Sequence, residues 1–146
     1  MWPSGERFVG EWRKNKCEGT GTRSWPDGCI YRGDWKAGNY HGEGTFSWPN
    51  GNFYSGAWRK GLKHGCGIFT WACGKRFDGD YQKGKKCGYG TCVWPDGSKY
   101  RGGWKEDQRY GEGVQSNNDG TVVHSGLWRR DQPIRKPNKP QKIDLL

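Results

Sequence analysis

Tyr31, Gly33 and Trp35 are separated by single polar residues, and the same alternation returns at Tyr54, Gly56, Trp58 and at Tyr100, Gly102, Trp104. A repeat of two puts aromatic, glycine and aromatic on one face of a β-strand. Phe8, Gly10, Trp12 and Phe77, Gly79, Tyr81 keep the same spacing. Each group is followed by a glycine pair two apart: Gly19/Gly21, Gly42/Gly44, Gly65/Gly67, Gly88/Gly90 and Gly111/Gly113. A second strand is predicted there, so the chain reads as a succession of hairpins.

The alternation has a longer period. Blocks of 23 residues begin at Trp2, Trp25, Trp48, Trp71 and Trp94, and three of them open on Trp-Pro-Asp-Gly or Trp-Pro-Asn-Gly. Proline presets the turn dihedral, Asp or Asn favours turn chemistry and glycine takes positive φ without steric cost, so every block begins with a chain reversal. Antiparallel pairing within a block is predicted to set Trp35 across from Gly42, Gly33 across from Gly44 and Tyr31 across from Phe46. In that register indoles lie over glycines that leave room for them. The predicted fold class is all-β: an elongated single-layer antiparallel sheet of about six stacked hairpins. Its blocks are 2–24, 25–47, 48–70, 71–93, 94–116 and a degenerate 117–128, where His124, Gly126 and Trp128 fall one residue late. From residue 129 to 146 the columns vanish, and Pro133, Pro137 and Pro140 alternate with basic residues in what reads as an extended tail.

The stretch Tyr31-Arg32-Gly33-Asp34-Trp35-Lys36-Ala37-Gly38-Asn39-Tyr40-His41-Gly42-Glu43-Gly44-Thr45 resembles a MORN (membrane occupation and recognition nexus) repeat, as does Tyr54 to Gly67. The resemblance covers residues 2 to 128 and implies one β-hairpin per repeat in a twisted, slightly curved sheet. It also implies a setting, since similar arrays occur in axonemal radial spokes, parasite cytoskeletal structures and membrane junctions, and precede lipid kinase and methyltransferase domains. Two columns depart from the family pattern. The histidine of His41 and His64 is replaced by Glu18, Cys87 and Tyr110, and the loop glycine of Gly38, Gly61 and Gly84 by Asn15 and Asp107. The first and fifth hairpin loops are therefore expected to differ in shape from the others.

Composition narrows the function. Of 146 residues 26 are glycine and 10 tryptophan, and only 31% are hydrophobic, so no Leu/Ile/Val core of the ordinary enzyme kind can form. Neither a secretory signal nor a long apolar span is read, and the cytosol is the expected compartment. The six cysteines form no C-x-x-C pair and are expected as free thiols. No nucleophile, zinc or phosphate-loop pattern is present, and His41, His64 and His124 are read as framework residues, so the expectation is a non-enzymatic chain without cofactor. In the column holding Glu18, His41, His64, Cys87 and Tyr110, a repeat spacing of about 10 Å is too wide for joint metal ligation.

The formal charge of +10 favours acidic partners. Five hairpin loops of six residues are expected to carry Arg13, Lys14, Lys16, Lys36, Arg59, Lys60, Lys63, Lys83, Lys85, Lys86, Lys105 and Arg109 along one basic rim. Arg129, Arg130, Arg135, Lys136, Lys139 and Lys142 add charge in the tail. The expected function is a structural scaffold docking in a cytoskeletal or ciliary assembly through sheet, rim and tail. Its partners would be acidic protein surfaces such as tubulin tails, or other proteins of the assembly, and the open sheet ends allow an end-to-end homodimer. A peripheral module binding anionic phospholipids and an accessory array for an associated enzyme stand as alternatives. An aromatic-lined groove for a partner helix or peptide also stays open. Nucleic acid is disfavoured, because the rings belong to the framework and the cations to the loops.

Overall fold

The computed structural model describes residues 2–135. Twelve strands form one sheet in strict sequence order. They are β1 (Arg7–Arg13), β2 (Lys16–Ser24), β3 (Ile30–Lys36), β4 (Asn39–Ser47), β5 (Phe53–Arg59), β6 (Leu62–Thr70), β7 (Arg76–Gln82), β8 (Lys85–Val93), β9 (Lys99–Lys105), β10 (Gln108–Ser116), β11 (Val122–Arg129) and β12 (Gln132–Pro133). All pairings are antiparallel, and no helix occurs among the described residues. The sheet of stacked hairpins read from the alternation is the observed architecture.

The block-opening turns form for the expected reason. The Gly28 amide donates to the Trp25 carbonyl at 3.0 Å, and Gly51, Gly74, Gly97 and Gly120 repeat the bond at 2.9–3.1 Å. The side chains of Asp27, Asn50, Asp96 and Asp119 each accept the amide two residues on, which fixes the turn locally.

At the opposite edge the loops are shorter than expected. Six two-residue turns, Lys14-Asn15, Ala37-Gly38, Lys60-Gly61, Lys83-Gly84, Glu106-Asp107 and Arg130-Asp131, have both residues at positive φ. That is the hairpin turn whose twist matches the flanking strands. The first and fifth do not differ in shape: Asn15 (φ 62°) and Asp107 (φ 67°) adopt the left-handed region that Gly38 (φ 82°) occupies. Asp107 also repays its strain, since its carboxylate accepts the Lys86 amide at 2.8 Å while its own amide donates to the Lys86 carbonyl at 3.2 Å. Arg129 to Pro133, expected as tail, complete a sixth hairpin in which Trp128 pairs Pro133 and Arg129 pairs Gln132.

Short turns change the register. Gly33 faces Gly44 and Tyr31 faces Phe46 as expected, but Trp35 faces Tyr40 within its hairpin. A bulge on β4 absorbs the difference, with Gly42 at φ 60° and the Asp34 carboxylate accepting the Glu43 amide at 2.9 Å. Trp35 lies opposite a glycine of the preceding hairpin, Gly19, and Trp58 likewise opposite Gly42. Its indole N–H donates to the Gly21 carbonyl at 3.0 Å, and Trp58, Trp104 and Trp128 do the same to Gly44, Gly90 and Gly113. Indoles therefore join neighbouring repeats.

The ring that covers each intra-hairpin glycine pair is instead the Tyr or Phe. A Cβ on Gly44 would sit 2.5 Å from Cζ of Tyr31, and Gly67 and Gly113 meet Tyr54 and Tyr100 at the same distance. Opposite them, Gly33, Gly56 and Gly102 leave the backbones free to approach. Tyr31, Tyr54, Phe77 and Tyr100 are fully buried, and Tyr31, Tyr54 and Tyr100 donate their hydroxyls to the Asp34, Ala57 and Gly103 carbonyls at 2.8–2.9 Å. Gly65, at φ 92°, holds the bulge of β6 as Gly42 does that of β4. The core is this one continuous aromatic row, with rings in edge-on contacts such as Tyr31–Trp58 at 5.5 Å, Phe77–Trp104 at 5.1 Å and Tyr100–Trp128 at 5.1 Å.

Candidate functional site

The twelve basic residues expected on one rim divide into two sets. Arg13, Lys14, Lys16, Lys36, Arg59, Lys60, Lys83, Lys85 and Lys105 are exposed at the two-residue turns or on the strand residues flanking them. Arg129 and Arg130 extend that edge through the sixth hairpin, and Arg135 is exposed beyond it. Lys136, Lys139 and Lys142 lie outside the described residues. The edge is regular because each turn is tied to the one before. The Gly38, Gly61 and Gly84 amides donate to the Cys17, Tyr40 and Lys63 carbonyls at 2.9–3.0 Å. Between turns lie open recesses, one of about 410 Å³ lined by Lys36, Ala37, Asn39, His41, Arg59 and Lys60. Lys85 meets the Glu106 carboxylate at 2.8 Å, which holds its pKa above the ordinary lysine value.

Lys63, Lys86 and Arg109 are not on that edge. They share a strand position with Cys17 and Tyr40, on the same face as the aromatic row, because alternation from Gly65/Gly67, Gly88/Gly90 and Gly111/Gly113 carries them there. Lys63 Nζ lies 5.0 Å from the Phe69 ring centroid, 5.1 Å from Tyr81 and 5.7 Å from Tyr54. Lys86 Nζ sits over Trp71, Phe77 and Trp104 at 5.4–5.5 Å, and Arg109 over Trp128 at 4.6 Å. Burial among the rings lowers the pKa of both lysines, with Asp107 opposing and the neighbouring cation adding to the shift. Arg109 is anchored by Asp131, its Nε 3.3 Å from the carboxylate.

Two more cations join this face without having been singled out in the sequence. Arg23 stacks on Trp2 and Trp25 and pairs with Glu6. Lys75 lies 4.6 Å from the Trp71 centroid and 5.9 Å from that of Trp94. A two-residue turn assigned at block positions 13 and 14 would have placed Lys63, Lys86 and Arg109 on the ring face by parity alone. The Lys-Gly, Ala-Gly and Glu-Asp pairs that build it lack the Asn-Gly signature that announces such a turn.

A family profile described as MORN repeat matches residues 8–30, 31–53, 54–76, 77–99 and 100–122. The chain belongs to the MORN repeat family. The five matched MORN repeats have the 23-residue period read from the tryptophans, phased six residues later, so each begins on the ring that covers a glycine pair. The MORN repeat is a non-catalytic module of the protein-interaction and scaffold kind. No curated protein matches the sequence. Among solved structures, the chain is similar to the SAS-4 (dCPAP) TCP domain of Drosophila melanogaster, solved in complex with a proline-rich motif of Ana2 (dSTIL). The likeness has 12% identity over 82% of this chain and 83% of that one, at a TM-score of 0.29.

The remaining MORN-repeat column, Glu18, His41, His64, Cys87 and Tyr110, has a local structural use. The Glu18 carboxylate accepts the Ala37 amide at 2.9 Å, and Nδ1 of His64 accepts the Lys83 amide at 3.5 Å, so this column supports the next turn. Among the described residues no His/Cys/Asp/Glu group is arranged to hold a metal, and no helix is long and apolar enough to cross a membrane. All six cysteines are free thiols. Burial raises the pKa of Cys17, Cys87 and Cys92.

Proposed function

We propose that this MORN-repeat chain is a scaffold that docks in a cytoskeletal or ciliary assembly, with its basic turn edge set against an acidic protein surface. The edge itself carries the reading. Five turn-to-turn hydrogen bonds space exposed cations by one hairpin each, roughly 10 Å, which is close to the screening length at physiological salt. An extended acidic strip therefore meets several cations whose fields overlap, and a compact acidic patch meets only one or two. Arg129 and Arg130 continue the edge, and Arg135, Lys136, Lys139 and Lys142 add charge to the chain that follows it.

Proximity labelling in cells, with the full chain and with Lys14→Glu, Lys60→Glu and Lys83→Glu combined, tests this. These lysines occupy the first position of their turns and are exposed, so charge reversal leaves the ring row untouched. Loss of cytoskeletal or ciliary partners in the reversed variant is expected. An unchanged partner set overturns the role of the edge. Loss of binding to phosphatidylserine vesicles with no change in protein partners would replace the scaffold reading by a lipid-binding one.

A further inference from the structure

Lys63, Lys75 and Lys86 stand on the aromatic face within two adjacent hairpins and the turn that joins them, each over one or more rings. Among the described residues, none of the three has a carboxylate within salt-bridge distance, whereas Arg23 and Arg109 on the same face are paired with Glu6 and Asp131. Lys75 and Lys86 converge on one indole, at 4.6 and 5.4 Å from the Trp71 centroid. Two ammonium groups sharing a ring repel each other, and each has given up part of its hydration to lie there. Ring faces compensate weakly, by about 0.5–2 kcal/mol per cation. The three charges are thus held where an anion would satisfy them, and Asp107 acts on Lys63 and Lys86 only from beyond salt-bridge distance.

We propose that this face is a docking surface for an acidic, extended polypeptide segment whose carboxylates pair with Lys63, Lys75 and Lys86 while its apolar side chains cover the half-buried Trp48, Trp71 and Trp94. Charge complementarity selects the acid, and the exposed parts of the indoles select a chain that offers apolar groups between its carboxylates. Lys63 and Lys86 occupy equivalent positions in successive hairpins, roughly 10 Å apart. A polyproline II segment rises about 9.3 Å in three residues and presents every third side chain on one side, so acids three residues apart meet successive lysines. Aromatic-lined surfaces already suit that conformation, whose backbone is extended before it binds. A membrane is the poorer fit. Its headgroups would reach the turn cations first, and Lys63 and Lys86 lie back from that edge along their strands. The proposal stands apart from the docking role of the turn edge, since the two surfaces share none of these residues.

The test uses the full chain and a fluorescein-labelled peptide of repeated glutamate-proline-leucine units, titrated by anisotropy at physiological salt, with a glutamine-proline-leucine peptide as control. Binding of the acidic peptide alone is expected, weakened about tenfold or more when Lys63, Lys75 and Lys86 are changed together to Gln, and retained when all three are changed to Arg. Changing Lys14, Lys60 and Lys83 to Gln should leave it within about twofold, which separates this surface from the edge. In the unaltered chain, the indole N–H resonances of Trp71 and Trp94 should move on addition of the peptide, a reading that needs no variant to fold. The proposal is overturned by no binding to the unaltered chain, by equal affinity in the Gln variant, or by resonance shifts confined to the turn edge. Binding of phosphatidylserine vesicles that needs these three lysines, without binding of the peptide, overturns it in favour of a membrane.

Discussion

Gly44 and Gly38 resist substitution for opposite reasons. Gly44 has ordinary strand dihedrals, but a methyl group there runs into the Tyr31 ring at 2.5 Å, so Gly44→Ala should cost about 1–3 kcal/mol through overpacking. Gly38 has open space, its nearest neighbour being Cβ of Lys16 at 4.0 Å, yet its φ of 82° penalises any side chain. Gly38→Ala should cost about 1–2 kcal/mol from the dihedral alone. Gly38→Asn should cost less, because Asn15 and Asp107 already hold that conformation in other turns. Urea midpoints of the three variants check the order. The buried tyrosines set the alkaline limit. Desolvation raises the pKa of Tyr31, Tyr54 and Tyr81, and pushes Tyr40 and Tyr100 up to about 12. A raised folded-state value means that their contribution is complete below the unfolded tyrosine pKa near 10 and is lost as pH climbs toward about 12. Lys63 and Lys86 act with the opposite sign: their lowered values mean that the folded state gains as pH rises to the unfolded lysine pKa of about 10.4. Stability followed by tryptophan fluorescence should therefore hold to about pH 8.5, decline a little above it as the raised thiols of Cys17, Cys87 and Cys92 lose their share, and fall steeply above about pH 10. A decline beginning near neutrality would contradict both assignments.

The first five hairpins each set a ring over a glycine pair. The second, third and fifth add an indole that bonds to the preceding hairpin while Tyr81 takes its place in the fourth, and one strand position is free to vary between them. That position holds Cys17, Tyr40, Lys63, Lys86 and Arg109 in turn. Where it is Tyr40, the ring stacks on Tyr31 at 4.2 Å and brings no charge to the face. Where it is lysine, an ammonium is desolvated with no carboxylate to meet it, so Lys63→Met should leave the unfolding midpoint unchanged or raise it. A loss beyond about 1 kcal/mol would mean that the ring contacts outweigh desolvation. This is also where legibility in the sequence stopped. The columns Tyr31, Gly33, Gly44 and their equivalents were legible because the alternation of two and the period of 23 recur five times. The register at Trp35 was not, since a two-residue turn followed by a bulge at Gly42 keeps the glycine pairing while moving the indole from one hairpin to the next. With the turn taken as six residues long, Lys63, Lys86 and Arg109 read as loop cations when they are ring-face cations. The second strand of the sixth hairpin was hidden for a related reason: Pro133 resembles a tail residue but sits at the strand end, where a missing amide costs little.

A sheet in which every strand pairs only with its sequence neighbours has additive length and additive stability. Twelve strands about 4.8 Å apart span roughly 50–55 Å, and nine-residue strands give a width of about 30 Å. A slab of those proportions has a radius of gyration near 18 Å, against about 14 Å for a globule of the same length. Removing a whole repeat should shorten the slab without breaking it. Deletion of residues 25–47 joins Ser24 to Trp48, which reproduces the natural Ser47 to Trp48 junction. β2 then pairs with β5, Gly19 taking the place of Gly42 opposite Trp58 and Gly21 that of Gly44 opposite Gly56. Across the new interface Gly19, Gly21, Thr22 and Ser24 match Gly42, Gly44, Thr45 and Ser47, while on the ring face Cys17 and Arg23 stand in for Tyr40 and Phe46. The loss of those two rings from the row should lower stability by about 3–5 kcal/mol, in the range of removing buried aromatics. Unfolding should stay cooperative, with a denaturant slope smaller by about one sixth because the exposed surface scales with hairpin number. Scattering should show a shorter particle of unchanged cross-section. A shortened chain that is unfolded in buffer would mean that distant hairpins support one another, and one with an unchanged slope would mean that the deleted hairpin never belonged to the cooperative unit. The same deletion leaves Lys63, Lys75 and Lys86 on their rings, so acidic-peptide affinity should survive a loss of stability that spreads along the ribbon.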